Sequence, residues 1–371
     1  MKKFLSLLLA VLMVLSMAAC SAANAPAETA APTEAATEAP TEAAAEAATE
    51  AVEISAYPMT VTDMAGREVT IEAEPQKIVS GYYISSSACI ALGLTDRMVG
   101  IEDKADKRPI NTLAAPQLLE LPFVGTAKEF NLEVCLATEP DLVILPMKQK
   151  DTAAALTEMG IPALLVNPES HDQILEMFSL IGTATNVPAN TEALVSYYTD
   201  KLSEINALVA TIADEDKPVV FIGSTSAYLR TAPSEMYQAS LITAAGGINA
   251  ANEIEGSSWV DISYEQLLAM NPEIIVVPTN TMANGTPDYT VEDILADAQL
   301  SEITAVQNGA VYQMPIGFEA WDSPAPSGIL GTLWMLKTLH PEIYSAEQFA
   351  ADVTEFYETF YGFTPDTAAL N

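Results

Sequence analysis

One pattern of apolar and polar positions occurs twice along the chain. Asn131-Leu-Glu-Val-Cys-Leu-Ala-Thr-Glu-Pro-Asp-Leu-Val-Ile-Leu145 aligns without gaps on Ser263-Tyr-Glu-Gln-Leu-Leu-Ala-Met-Asn-Pro-Glu-Ile-Ile-Val-Val277, at a constant offset of 132. Glu133 falls on Glu265, Leu136 on Leu268, Ala137 on Ala269, Pro140 on Pro272 and Asp141 on Glu273. Each copy predicts a short helix, a proline that cannot continue it, and a four-residue apolar strand. A continuously apolar strand is one buried on both faces, as in a parallel sheet between helices. The repeat therefore predicts an α/β protein of two lobes, each with a parallel-type central sheet and a similar core. Ile78-Val79 predicts the first strand, followed by the loop Gly81–Ser85 and a helix to Leu92-Gly93. Pro218–Ile222 predicts the matching strand of the second lobe, with a helix into Ala245-Gly246-Gly247. Between them Leu194, Tyr198, Leu202, Ile205, Val209 and Ile212 step by four or three. That spacing predicts one amphipathic helix over Asn190–Ala213, with no Pro or Gly inside it. The domains follow: a first lobe over 53–188, a connecting helix over 189–216 and a second lobe over 217–371. A ligand cleft would lie between the lobes.

The N-terminal segment has a different pattern. Lys2 and Lys3 precede the apolar run Phe4–Val14, which is too short to span a bilayer comfortably. The run ends in Leu15-Ser16-Met17-Ala18-Ala19-Cys20, and small residues before a Cys at this distance resemble the lipobox of a bacterial lipoprotein. Residues 1–19 are read as the signal peptide and Cys20 as the lipidated residue. From 20 to 52 the composition narrows to Ala, Glu, Thr and Pro, with Glu34, Glu38, Glu42, Glu46 and Glu50 at four-residue intervals. Pro26, Pro32 and Pro40 oppose a helix there, and no apolar stripe exists to pack one. The segment reads as a solvated, self-repelling tether. Lipid chains would hold the product on the outer face of a cell membrane, or in a periplasm, without spanning it.

Charge narrows the function. The 371 residues carry 50 Asp plus Glu against 15 Lys plus Arg, a formal charge of −35. Only six of those Glu and two of those Lys lie in residues 1–52, so the acidity belongs to the folded part. Nucleic-acid binding needs clustered cations to neutralise phosphates, and adsorption to anionic lipid needs a basic face; this chain has neither. Three Cys and two His exclude a disulfide framework and a zinc ribbon. They also exclude a metal site built mainly of imidazole. Cys89 and Cys135 sit among apolar helical neighbours and read as buried thiols, while His171 and His340 have no clustered partner.

Several stretches, taken in order, resemble the helical-backbone substrate-binding proteins of ABC importers, the class that delivers ferric siderophores, haem, cobalamin and related chelates. Thr60-Val-Thr-Asp63-Met-Ala-Gly66-Arg67-Glu-Val-Thr-Ile71 with Pro75-Gln-Lys-Ile-Val79 resembles the family's first hairpin and core strand. Val124-Gly125, Asn131-Leu132-Glu133 and Pro140–Ile144 resemble its first-lobe signature, and Trp259 with Glu265 its second. Trp321-Asp-Ser-Pro324-Ala-Pro326, Leu330-Gly331 and Trp334 resemble a branch that includes chelated-iron and molybdate binders. The resemblance runs from about residue 57 to the C-terminus. It implies that Glu133 and Glu265 dock on paired permease subunits, through Arg at each docking pocket. Their equivalence under the repeat suits a partner with approximate two-fold symmetry.

In α/β sheets ligands sit beyond the carboxyl ends of the strands. The first-lobe candidates there are Tyr82, Tyr83, Lys104, Lys107 and Lys148. The second-lobe candidates are Tyr228, Arg230, Trp259 and Trp321. Arg binds carboxylate, catecholate or oxyanion oxygens in bidentate fashion, and aromatic walls suit a flat macrocycle or aryl chelate. With so few His, a metal would arrive already coordinated by its chelator, with no direct protein ligand. The expected cargo is a metal chelate, a ferric siderophore first, haem or cobalamin next. A molybdate or tungstate receptor stays open, as does a chelatase-like enzyme on the same architecture. The expected protein is a monomer without cofactor. No Walker-type Gly-Lys-Ser/Thr motif is present, so the transport ATPase would be a separate chain.

Overall fold

The computed structural model describes residues 56–279 and 288–370. The signal peptide, Cys20 and the tether read from the sequence lie outside the described residues. The described residues fall in one unit that starts at Ile54. The chain opens with an antiparallel hairpin of β1 (Met59–Thr62) and β2 (Glu68–Ile71). Asp63 holds its turn: Oδ1 accepts from the amides of Ala65 and Arg67, while Oδ2 accepts from the amide of Leu165. Buried Asp63 thereby pins the hairpin to the first lobe.

Two four-stranded parallel sheets follow. The first contains β3 (Ile78–Ser80), β4 (Met98–Gly100), β5 (Leu142–Pro146) and β6 (Ala163–Val166), in the order β4-β3-β5-β6. The second contains β7 (Val219–Ile222), β9 (Ile248–Asn249), β11 (Ile274–Val277) and β12 (Val311–Gln313), in the order β12-β11-β7-β9. Read in chain order the two topologies are the same. A small antiparallel pair of β8 (Arg230–Thr231) and β10 (Val260–Asp261) is added in the second lobe.

The repeat seen in sequence is a repeat in space. Helices Leu132–Ala137 and Tyr264–Met270 precede the matched central strands β5 and β11. Asn131 and Ser263 cap them, each accepting from the amide three residues on. Glu139 and Asn271, also 132 apart, both take a left-handed backbone ahead of the matched prolines. Asp141 accepts from the amides of Gln76 and Lys77 at 2.9 Å, fastening the entry of β3; Glu273 accepts from the amide of Val219 at 2.9 Å, fastening β7.

The connecting helix runs over Pro188–Val209, 22 residues. It begins two residues earlier than the periodicity predicts, because Pro188 fits the first helical turn, and it stops four residues earlier. Leu194, Tyr198 and Ile205 are its buried positions. One core cluster joins both lobes along this helix, taking in Ile78, Leu142, Tyr198, Val220, Leu330 and Phe356. Two smaller clusters cover the outer faces of the sheets. The last long helix, Ala346–Phe360, returns to the connecting helix. Lys201 there donates to Asp352 at 2.6 Å, and Tyr197 packs edge-on against Phe360. Beyond the helix, the Tyr361 hydroxyl lies 2.7 Å from Ser87 Oγ of the first lobe. Among the described residues no helix is long and apolar enough to cross a membrane.

Candidate functional site

The carboxyl ends of β3, β5 and β6 open on a depression of about 460 Å³. Tyr82, Lys148, Lys150, Asn167 and Glu169 line it. The backbone after β3 can turn into it because Gly81 carries no Cβ; one there would meet the Phe130 ring and Leu145 at 2.7–2.8 Å. Glu169 sits above the usual carboxylate range through burial, with Lys148 opposing that rise. An aromatic wall and two ammonium groups on one open surface suit an anionic ligand of small-molecule size.

Next to this depression the two lobes meet. The Tyr83 hydroxyl donates to Ser323 Oγ across the junction at 3.1 Å, and the Tyr82 and Tyr83 rings meet edge-on at 5.2 Å. The Arg108 guanidinium lies 4.1 Å from the Tyr83 ring centroid, a stacked cation–π contact. Arg108, Tyr83, Ser87, Asn111 and Glu319 line a narrow cavity of about 20 Å³. Arg108 Nε lies 3.5 Å from Glu102 Oε1. Glu102 is pushed up to about 7 by burial, against the pull of Arg108 and of the Ser86 hydroxyl. Asp322 is likewise pushed up to about 7 by burial.

The predicted site residues divide. Tyr82, Tyr83 and Lys148 stand at the carboxyl ends of the first sheet, together. Lys104 and Lys107 are exposed, and Lys107 pairs with Asp106. Arg108, one residue on, is the cation that turns inward; the sequence reading missed it. Its signal was scarcity, since inward cations are few in so acidic a chain. Glu319 was missed because an isolated Glu in a loop carries no pattern.

In the second lobe Arg230 and Asp261 face each other across β8 and β10, their charged groups 3.5 Å apart, Arg230 half-buried and Asp261 exposed. Trp259 is half-buried against the main core, which also takes Tyr82 and Tyr83. Tyr228 is turned away into the outer face of the second lobe: its hydroxyl donates to Asp297 Oδ2 at 2.7 Å, where Tyr264 also donates at 2.9 Å. Trp321 corrects the expectation of a ligand contact. It is fully buried, stacks on Phe318, and donates its indole N–H to the Tyr357 hydroxyl at 2.9 Å. A late aromatic reads the same in sequence whether it lines a cleft or, as here, is covered by the returning C-terminal helix.

Glu133 and Glu265 are both exposed, each the second residue of its helix. Cys89 and Cys135 are free and buried, with their thiols pushed up to about 12 and about 11. His171 Nδ1 lies 2.9 Å from the Tyr198 hydroxyl, and burial holds it down at about 4. Among the described residues no three His, Cys, Asp or Glu are grouped so as to hold a metal ion.

The family profile described as "Periplasmic binding protein" matches residues 78–316, spanning both sheets and the connecting helix. The chain belongs to the periplasmic binding protein family. The resemblance to substrate-binding proteins read from the sequence is thereby borne out, as is the two-lobed α/β fold. Among relatives in this family, the uncharacterized ABC transporter substrate-binding lipoprotein YvrC of Bacillus subtilis is 26% identical over 264 residues, 70% of this chain and 78% of that one. The molybdate-binding protein MolA of Haemophilus influenzae is 25% identical over 335 residues, 83% of this chain and 93% of that one. A periplasmic solute binding protein from Veillonella parvula superposes with a TM-score of 0.72 at 28% identity, over 84% of this chain and 95% of that one. Periplasmic binding proteins of this kind are defined by what they carry, so the junction and its rim are where cargo has to be sought.

Proposed function

We propose that this chain is the extracytoplasmic, lipid-anchored binding protein of an ABC importer and that it captures a metal chelate, of the ferric siderophore type, between its lobes. The observation that carries this is the rim of the first sheet. An open surface of about 460 Å³ presents Tyr82 beside Lys148 and Lys150. That is the size of a small organic ligand, and more than a bare tetrahedral oxyanion fills. Tyr82 supplies a flat apolar wall, and the ammonium groups meet chelator oxygens. Arg108, behind Tyr83, is the inward cation that fixes orientation. In this reading the chain delivers its cargo as a monomer, without turnover, to a permease dimer served by separate ATPase subunits. Glu133 and Glu265 are the docking contacts, and Cys20 carries the lipid. The likeness to the lipoprotein YvrC supports the anchor.

A second reading has its own support. The likeness to MolA and the inward guanidinium of Arg108, a ready partner for oxyanion oxygens, favour molybdate or a similar oxyanion. A thermal-shift screen with ferric citrate, a ferric catecholate, haem, cobalamin, molybdate and free Zn²⁺ separates the two. A chelate that raises the melting temperature supports the first reading. A shift with molybdate alone replaces it by the second, and a shift with Zn²⁺ alone rejects both.

A further inference from the structure

The lobe junction contains one inward guanidinium and two buried carboxylates that are each only half satisfied. Glu102 Oε2 accepts from the Ser86 hydroxyl, whereas its Oε1 has no hydrogen-bond donor. That free oxygen faces Arg108 Nε, which has no hydrogen-bond acceptor. From the other lobe, Glu319 Oε1 accepts from the Ser87 hydroxyl, and its Oε2 again has no donor. Glu319 and Arg108 line the same narrow cavity, about 20 Å³, which has room for one water-sized group. Both carboxylates are more than nine-tenths buried, at 4% and 6% exposure. A buried polar atom without a hydrogen bond is costly and rare, so the free Oε2 of cavity-lining Glu319, with the Arg108–Glu102 pair held only at 3.5 Å beside it, marks a place where another group belongs.

We infer that Glu102 and Glu319 compete with the cargo for Arg108, so that capture of an anionic cargo is coupled to proton uptake by these two carboxylates. This deepens the proposed function and rests on its anionic cargo. An ionised carboxylate beside Arg108 satisfies the guanidinium and repels a second anion from a dry junction. A protonated one does neither, and its O–H can donate to a cargo oxygen. Each carboxylate displaced from Arg108 takes one proton from solvent; no bond in the cargo forms or breaks.

The surroundings favour this exchange. Around Glu102 stand Arg108, Asp103, Ser86 and Cys89; Arg108 holds the proton off, while burial and Asp103 hold it on. Around Glu319 stand Ser87, Ser327, Tyr361 and Tyr357, with Arg108 again opposing protonation. Burial is the largest influence on both, and it raises both. Asp322, beside Tyr83, adds a third buried acid at the junction.

The test measures dissociation constants for ferric citrate and for molybdate, from pH 8 to pH 6. It compares the full chain with Glu102→Gln, Glu319→Gln and the double variant, folding being checked by circular dichroism. The wild type should tighten about tenfold per pH unit relative to the double variant where one carboxylate titrates. Comparison with the variant at each pH removes the titration of the probe itself. The single variants, one of which suffices if the double variant does not fold, should each remove part of the slope. Equal slopes in wild type and variants overturn the inference. Ferric citrate bound with no difference in slope rejects the coupling and leaves the chelate reading standing. Molybdate bound with the difference in slope rejects the chelate reading and keeps the coupling. Binding of neither probe to any form at any pH rejects the coupling.

Discussion

The two lobes share a scaffold and differ in what that scaffold presents. Their sheets have the same strand order, their central strands carry the same apolar run, and their pre-strand helices are capped at equivalent residues. Their carboxyl-end surfaces are not alike. In the first lobe Tyr82, Lys148 and Lys150 stand open to a depression. In the second the corresponding aromatic weight is inside, with Trp321 stacked on Phe318 and Phe318 on Tyr357 of the C-terminal helix. Repetition was thus kept where the backbone has to be fastened and given up where ligand contact is decided. A sequence repeat of this kind identifies the frame, not the binding face.

Exchanging an aromatic in each lobe tests that contrast most severely. Trp321→Ala should lower stability by about 3–5 kcal/mol, the range for emptying a buried aromatic site, read by urea unfolding. Tyr82→Ala should cost well under half of that and weaken cargo binding instead. Comparable losses of stability would show that the rim of the first lobe is as much core as the second. The proposed docking pair asks whether the repeat is functional. Charge reversal at Glu133 and Glu265 should abolish uptake with cargo affinity near wild type, read by transport assay and by titration of the purified protein. A collapse of cargo affinity would place both residues in the wrong role.

The fastening acids probe the scaffold itself. Asp141 holds two amides and Glu273 one. Asp141→Ala should therefore cost about 1.5–3 kcal/mol and Glu273→Ala roughly half, on the scale of hydrogen bonds to a charged group. Equal costs would mean that the sheets are not fastened in proportion to those bonds. The smallest effect concerns pH. Glu102 and Asp322 are raised to about 7 in the folded protein, so their contribution is complete below the ordinary carboxylate range and is lost as pH rises through 7. His171, held down at about 4, acts oppositely, and its contribution fades as pH falls below 6.5. With two raised acids against one lowered imidazole, the melting temperature should be about 2–5 °C higher at pH 5.5 than at pH 7.5. No change, or a drop, would show that the junction acids are not buried in solution.

The frame was legible because its determinants are local. A buried parallel strand is a continuous apolar run, a proline ends the helix before it, and a period of three or four residues marks the connecting helix. The cleft was legible only in part. Tyr82, Tyr83 and Lys148 follow strands that sequence can place. Arg108 follows a three-residue strand and two decoy lysines, and its inward turn depends not only on nearby Glu102 but on Tyr83, which lies in the helix before that strand. Trp321 and Tyr228 failed as candidates for the same reason, since the partners that bury or turn them, Tyr357 and Asp297, lie 36 and 69 residues on. Two-residue strands such as β8 and β10 leave no period to detect.

The return of the C-terminal helix to the connecting helix, and of Tyr361 to Ser87, also governs how the molecule reaches its fold. Ser87 and Tyr361 are 274 residues apart, and their contact closes over nearly the whole described chain. Neither lobe can finish its side of the shared core until the helices Gly328–Leu339 and Ala346–Phe360, which supply part of it, are available. Long-range closure of this kind slows folding, because chain entropy is lost before the distant contacts repay it. A nascent or partly extended chain would thus expose the apolar faces around Tyr198 and Phe178 for as long as its C-terminus is withheld, and the two lobes should gain their order together.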